Sequence, residues 1–388
     1  MKNIAIYWIA AGAFLVGTSE LVIAGLLDTL AADLNVSLAA AGQLVAVYSF
    51  AFAIGSPVLT ALTARVNRTK LLAGSLVTFA AGCLVAFVSH DYALLLLSRI
   101  VLALSAGIYT VVSLHVGTSL VPPEKKGRAV GTILLGTSGS MVLGVPLGVA
   151  VGHAFGWRAN FALLAALALV VALAVRMTAK AASEATPSVG SADELPRGQR
   201  LARALNGRAV SALGSSLLWI TGYSTVYTYI SPFLQTRSQV PGGQIGSVLL
   251  LFGVCGVAAD RWGTSKTLTW TIALHAAALL LLSVAGQRPW SALIAGAWAC
   301  SAWMTLPVLQ VRFASLDSRS SGFLISLNSS VIHLGIALGA ALGGIVIEAA
   351  PLNALGGIGA AVVAAALPLV ALSFRASSAV RAEGTNVN

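Results

Sequence analysis

The residues that stand out in this chain are charges and imidazoles set inside long apolar runs. Glu20 follows Gly17-Thr18-Ser19 in the first such run, and Arg99 sits early in the fourth. Removing an ionisable side chain from water is costly, by ~2.5–3.5 kcal/mol at the centre of a membrane helix, so each one calls for a role. At 1.5 Å per residue, Glu20 lies about 6 Å outward of the middle of its run and Arg99 about 10 Å, so the two reach similar depths. Burial raises a carboxylate's pKa and a neighbouring guanidinium lowers it. Such a pair can therefore take up and release a proton as water access changes, or it can be a static ion pair that fixes helix packing.

Three histidines, His115, His275 and His333, also lie within apolar runs, His333 nearest the middle of its own. A histidine there can relay protons or make one interhelical hydrogen bond. Trp219, Tyr223 and Tyr227 recur every four residues and share a helix face. That face is either an aromatic wall for a flat solute or a lipid-facing stripe. Gln43, Gln310 and Asn328 are amides placed to hydrogen-bond a solute. Asp28 and Asp33 end the first run and read as solvated helix-end carboxylates.

The elements that must position these groups follow from composition. Of 388 residues, 57% are hydrophobic and 9% charged, against about 25% charged in soluble domains. A chain with so little polar surface cannot cover itself in water, which excludes a soluble enzyme, a disordered protein and a nucleic-acid reader. Runs long enough to cross a ~30 Å hydrocarbon layer fall near 4–27, 38–63, 71–89, 93–121, 129–153 and 159–176. Six more fall near 208–231, 242–259, 267–285, 291–313, 322–347 and 353–374. No period-two alternation is present, so these are twelve helices and not barrel strands.

All basic residues except Arg99, Arg158, Arg237 and Arg288 fall on one side of this layout, which places both termini in the cytoplasm. The polar stretch 177–207 reads as a cytoplasmic linker between a six-helix bundle, 1–176, and a second, 208–374, with a tail at 375–388. Cys83, Cys255 and Cys300 read as buried apolar side chains, without the spacing of a disulfide framework. No metal-ligand set, nucleophile with its base, or phosphate-binding loop occurs, so neither an enzyme, a cofactor nor an ATP motor is expected.

The two halves look related. Leu143-Gly144-Val145-Pro146-Leu147-Gly148 aligns with Leu334-Gly335-Ile336-Ala337-Leu338-Gly339, and at the same offset Arg128 meets Arg319 and Gly152 meets Gly343. Gly42-Gln43 and Gly243-Gln244 open the second and eighth runs. Parallel repeats of six helices suggest a secondary transporter with its solute site between the repeats.

Several motifs resemble those of the major facilitator superfamily. Gly256-Val-Ala-Ala-Asp260-Arg261-Trp-Gly263 is similar to its loop signature between second and third helices of a half; Arg65 and Arg68 mark the first-half copy, which lacks the aspartate. Gly136 through Gly144, Pro146 and Gly148 resemble the fifth-helix antiporter signature. Gly17-Thr-Ser-Glu20, Ala24-Gly-Leu-Leu27, Asp33-Leu-Asn-Val-Ser37, Gly156-Trp-Arg158 and Ser326 through Gly335 resemble twelve-helix drug:proton antiporters, with the arabinose-efflux-like and chloramphenicol-exporter-like permeases nearest.

The resemblance implies a multi-pass inner-membrane exporter, acting as a monomer, that exchanges protons for a small organic solute without a cofactor. It places Glu20 and Arg99 on cavity-lining helices and makes the Gly256–Gly263 loop a gate. An exporter or facilitator of sugars or nucleosides is the alternative within transport; a membrane-embedded enzyme or sensor fits less well.

Overall fold

The computed structural model describes residues 2–183, 206–238, 263–284, 290–316 and 321–383, and every regular element among them is helical. The helices are α1 (Lys2–Gly25), α2 (Leu27–Asp33), α3 (Leu38–Leu62), α4 (Arg68–Val88), α5 (Tyr92–Ser119), α6 (Lys126–Gly139), α7 (Val145–Phe155) and α8 (Trp157–Ser183). After the linker come α9 (Gly207–Tyr227), α10 (Ile230–Ser238), α11 (Thr264–Val284), α12 (Trp290–Leu316), α13 (Ser321–Ala349), α14 (Ala354–Ala364) and α15 (Ala366–Glu383). Ten described helical segments are long and apolar enough to cross a membrane. Of the other two expected spans, the seventh is α9 and the eighth, 242–259, lies outside the described residues. The last helix runs on to Glu383, so part of the expected tail is helical.

The chain divides into two compact units, Met1–Val189 with Thr228–Gly253, and Gly190–Tyr227 with Val254–Asn388. The seventh apolar run, 208–231, is therefore not one rod. It breaks at Thr228-Tyr229, and α10 belongs with the first unit.

Helix starts are set by capping side chains. Ser37 accepts from the Ala40 N–H at 3.1 Å, Asn67 from Thr69 and Lys70, and Asp91 from Leu94 at 2.8 Å. Buried serines and threonines mostly bond carbonyls three or four residues back, as Thr18 does to Phe14 at 2.7 Å. Outward faces are apolar: Leu135, Leu173, Trp270 and Ile345 are each at least 60% exposed, as a lipid-facing surface requires.

In the first unit α1 lies along α6 and α7. Gly136 meets the Ala10 carbonyl, Gly144 the Thr18 side chain and Gly148 that of Val22, so a methyl group at any of them collides with α1. Between α6 and α7 the helix widens into a π turn at Ser140–Gly144. Pro146 supplies the cause: it has no N–H to donate and its ring crowds the carbonyl four residues back, and a wider turn relieves both.

The second unit repeats this arrangement. Gly335 and Gly339 of α13 pack on α9, against Leu217, Ile220 and Thr221 and against Thr221, Ser224 and Thr225 respectively. Ala337 stands where the alignment puts Pro146, and α13 runs through without interruption.

Candidate functional site

Arg99 is the polar centre of the first unit. It is fully buried on α5. Its Nη1 donates to the Ser19 carbonyl at 3.0 Å; longer contacts of 3.4 and 3.5 Å reach the carbonyls of Leu44 and Glu20. The guanidinium lies 4.3 Å over the Tyr48 ring, a cation–π contact. The cation is thus held by main-chain oxygens of α1 and α3 and by a π face. Glu20 comes to the same place, and its carbonyl takes a guanidinium contact. Arg99 thus reaches the main chain of α1 beside Glu20, because α5 approaches α1 closely. The hydroxyls of Ser19, Tyr48 and Ser49 are buried close by in sequence without a hydrogen-bond partner.

The other sequence candidates separate by unit. Gln43 of α3 is half-buried, in the turn before Tyr48. In the second unit Trp219, Tyr223 and Tyr227 are buried, so a lipid-facing stripe does not describe them. Trp219 stacks on Tyr223 (centroids 6.4 Å apart) and Tyr223 on Tyr227 (5.0 Å, planes 17° apart). His275 and Trp298 back the stack from α11 and α12. Asn328 is 2% exposed and its Oδ1 has no hydrogen-bond partner, whereas Gln310 faces outward. His333 is half-buried, with Nδ1 2.9 Å from the Ser329 carbonyl of its own helix, and His115 is exposed on α5. Cys300 is disulfide-bonded, which corrects the reading of the cysteines as free apolar side chains; Cys83 is free and buried.

Sequence reasoning missed a pair of clasps at the α2 end of the first unit. Asp33 accepts from the Trp157 indole at 3.0 Å and from Arg158 at 2.6 Å; Arg158 also donates to the Ser89 carbonyl and lies over the Trp157 ring. The indole hydrogen bond first, then Arg158, holds the Asp33 carboxyl below its usual range. Asp28 accepts from Ser231 at 2.6 Å and from Gln235 at 2.9 Å, which pins α10 to α2. Burial raises the Asp28 carboxyl above its usual range, against the Ser231 hydrogen bond and His153. Neither aspartate is the freely solvated carboxylate expected. The signal for the first clasp was visible as Gly156-Trp157-Arg158, where Gly156 (φ +85°) turns the chain so that the next two side chains point to Asp33.

Of the gate motif, Arg65 is exposed, Arg68 contacts the Ala64 carbonyl at 3.4 Å, and Gly263 adopts φ +77° before α11. Gly256, Asp260 and Arg261 lie outside the described residues.

Comparison with known proteins decides the family. The description Major Facilitator Superfamily matches residues 9–259. The chain belongs to the major facilitator superfamily. This superfamily member is 34% identical over 364 residues to the uncharacterized MFS-type transporter YbcL of Bacillus subtilis, covering 92% of both chains. It is 31% identical to the inner membrane transport protein YdhP of Escherichia coli, over 89% of this chain and 90% of that one. It is 30% identical to a chloramphenicol efflux pump of Mycobacterium tuberculosis, over 88% and 85%. A bacterial homologue of the human lysosomal transporter Spinster, in an inward-facing and unoccupied conformation, shares the fold with a TM-score of 0.74 at 15% identity, covering 96% of this chain and 94% of that one. The transporter is thus a multi-pass membrane protein of the MFS fold, all-helical among the described residues.

Proposed function

We propose that this transporter exports a small organic solute across the inner membrane in exchange for protons, by alternating access, with both termini in the cytoplasm and six helices on either side of the 177–207 linker. The observation that carries this reading is the buried Arg99 fastened to the main chain of Ser19 and Glu20. A buried cation held by backbone oxygens keeps its place when a nearby carboxyl changes charge. A proton arriving at Glu20 then alters the local field without dismantling the guanidinium's anchorage, which suits a group that must load and unload in every cycle. Gln43, Asn328, His333, Tyr223 and Tyr227 are the polar and aromatic groups offered to solute. The Gly256–Gly263 loop with Arg65 and Arg68 is the gate. The close contact of Gly136, Gly144 and Gly148 with α1 seals against proton leak.

The mycobacterial relative named as a chloramphenicol efflux pump makes chloramphenicol the first solute to test. The test is solute movement in proteoliposomes under an imposed pH gradient, with amphenicols, sugars and nucleosides compared. Glu20→Gln is expected to abolish gradient-driven movement while leaving downhill exchange. Full proton-driven transport by Glu20→Gln would remove the proposed proton site, and gradient-independent flux in the wild type would remove the coupling.

A further inference from the structure

His275 holds a position that its own chemistry cannot fill. It is completely buried at the middle of α11. The Trp219 indole nitrogen lies 3.3 Å from Nδ1, and the Trp298 indole nitrogen lies 2.8 Å from Nε2. An indole N–H only donates. A neutral imidazole carries one hydrogen and offers one acceptor; a protonated imidazole carries two and offers none. One ring therefore cannot accept from both indoles, whichever nitrogen bears the hydrogen. A second positive proton would set two N–H groups against two N–H groups, so the site selects the neutral ring.

We propose that His275 is a tautomeric toggle that can hold Trp298 of α12 or Trp219 of α9, but never both at once. The shorter contact assigns the hydrogen to Nδ1, with Nε2 accepting from Trp298. The Nδ1–H and the Trp219 N–H then face each other across 3.3 Å without an acceptor between them. Moving the hydrogen to Nε2 reverses the choice: Trp298 is released and Trp219 is held. Trp219 ends the ring stack that continues through Tyr223 and Tyr227. The position of one hydrogen thus decides whether that stack is tied to α11 or left to slide past it. His275 is a positioning residue in this scheme and need not touch solute. The inference stands on the donor count alone, so it survives whatever the transported solute proves to be.

The test is nitrogen NMR on the full chain, labelled at histidine and tryptophan, in lipid nanodiscs. The His275 signals are identified by their loss in His275→Gln and the Trp219 indole by its loss in Trp219→Phe. In the wild type a neutral ring with its hydrogen on Nδ1 is expected, together with a hydrogen-bonded shift for the Trp298 indole proton and an unbonded one for Trp219. In Trp298→Phe the hydrogen should move to Nε2 and the Trp219 indole proton should shift to the bonded position; Trp219→Phe should leave the wild-type tautomer in place. A histidine that merely fills space would keep its tautomer in every variant, and that result overturns the proposal. So does a doubly protonated ring at neutral pH, or two bonded indole protons in the wild type. These wild-type readings decide the matter even if Trp298→Phe does not fold.

Discussion

The two units share a helix-packing scheme and differ in what they enclose. Gly144 and Gly148 let α7 settle on α1, and Gly335 and Gly339 let α13 settle on α9. Inside that common frame the first unit buries Arg99 of α5 on carbonyl oxygens and over Tyr48, while the second packs Trp219, Tyr223, Tyr227, Trp298 and His275 into an aromatic cluster and buries its cation, Arg312, near the end of α12, on the Ser373 carbonyl and over Phe374. Small residues at a close crossing leave little room for substitution, so the crossing persists in both copies. The enclosed polar groups are under no such steric constraint. The lesson is that the two halves of this chain share backbone geometry at their crossings but place their polar groups differently. A role argued for a residue in one half has to be argued afresh in the other.

Substitutions can break this comparison, and the largest effect belongs to Arg99. Arg99→Ala removes the buried cation at the first unit's centre, and a fall in proteoliposome transport of at least about 100-fold is expected, the scale of losing a main positioning group. Arg99→Lys should not rescue it, because an ammonium cannot reproduce the planar fork and π contact that guanidinium makes. Near-normal transport by Arg99→Ala would mean that the two units do not differ in the way described.

Next come the crossings themselves. Gly144→Val and Gly335→Val each drive a side chain into the neighbouring helix, and each should destabilise the protein by about 1–3 kcal/mol or more, as overpacking does. Thermal unfolding of the purified protein reads this directly. Similar losses at the two sites sharpen the comparison, and a loss at only one would confine the shared frame to that half.

A smaller effect separates Pro146 from Ala337. Pro146→Ala restores a backbone donor and removes the ring that crowds the carbonyl four residues back, but leaves the extra residue in place, so the π turn at Ser140–Gly144 should persist with one more hydrogen bond and the unfolding temperature should rise. Hydrogen exchange over residues 138–146 is expected to slow. The same segment of α13 already has its alanine, so Ala337→Pro should do the opposite.

The smallest effects sit at the α2 clasps, where two carboxylates of one unit should respond oppositely to pH. Asp33 titrates below its ordinary 3.8 when folded, so its contribution is present above that value and is lost as pH falls through the lower folded value. Its side chain is 42% exposed, so Asp33→Asn should cost less than about 1 kcal/mol near neutrality. Asp28 titrates above 3.8 when folded, so stability falls as pH rises through the window just above that value, and Asp28→Asn should flatten this dependence. Stability measured against pH from 3 to 7 in both variants checks the signs.

Much of this architecture was legible beforehand because lipid enforces it. Long apolar helical runs are the consequence of a solvent that cannot satisfy backbone groups, and they are written locally. The glycine crossings were legible for a related reason, since Gly136, Gly144 and Gly148 share a helical face. The contents of the centres were not. Glu20 and Arg99 were matched by depth, but depth along a helix says nothing of its rotation, and the arginine reached carbonyls that every residue possesses. His275 meets indoles from 56 and 23 residues away, a convergence that no spacing encodes. The break at Thr228-Tyr229 was hidden within an apolar run that reads as continuous, because hydropathy does not register which neighbour a segment packs on.

The widened turn at Ser140–Gly144 has one more implication. It accommodates about one residue more than an ordinary turn of the same rise. Shortening a spanning rod by a single amino acid normally rotates everything beyond the cut by roughly 100° and wrecks its contacts. Here the excess is already present, so excising Met141 or Val142 together with Pro146→Ala is a change the rod can absorb, drawing the loose coil into regular winding while Gly136 and Gly148 keep their bearings.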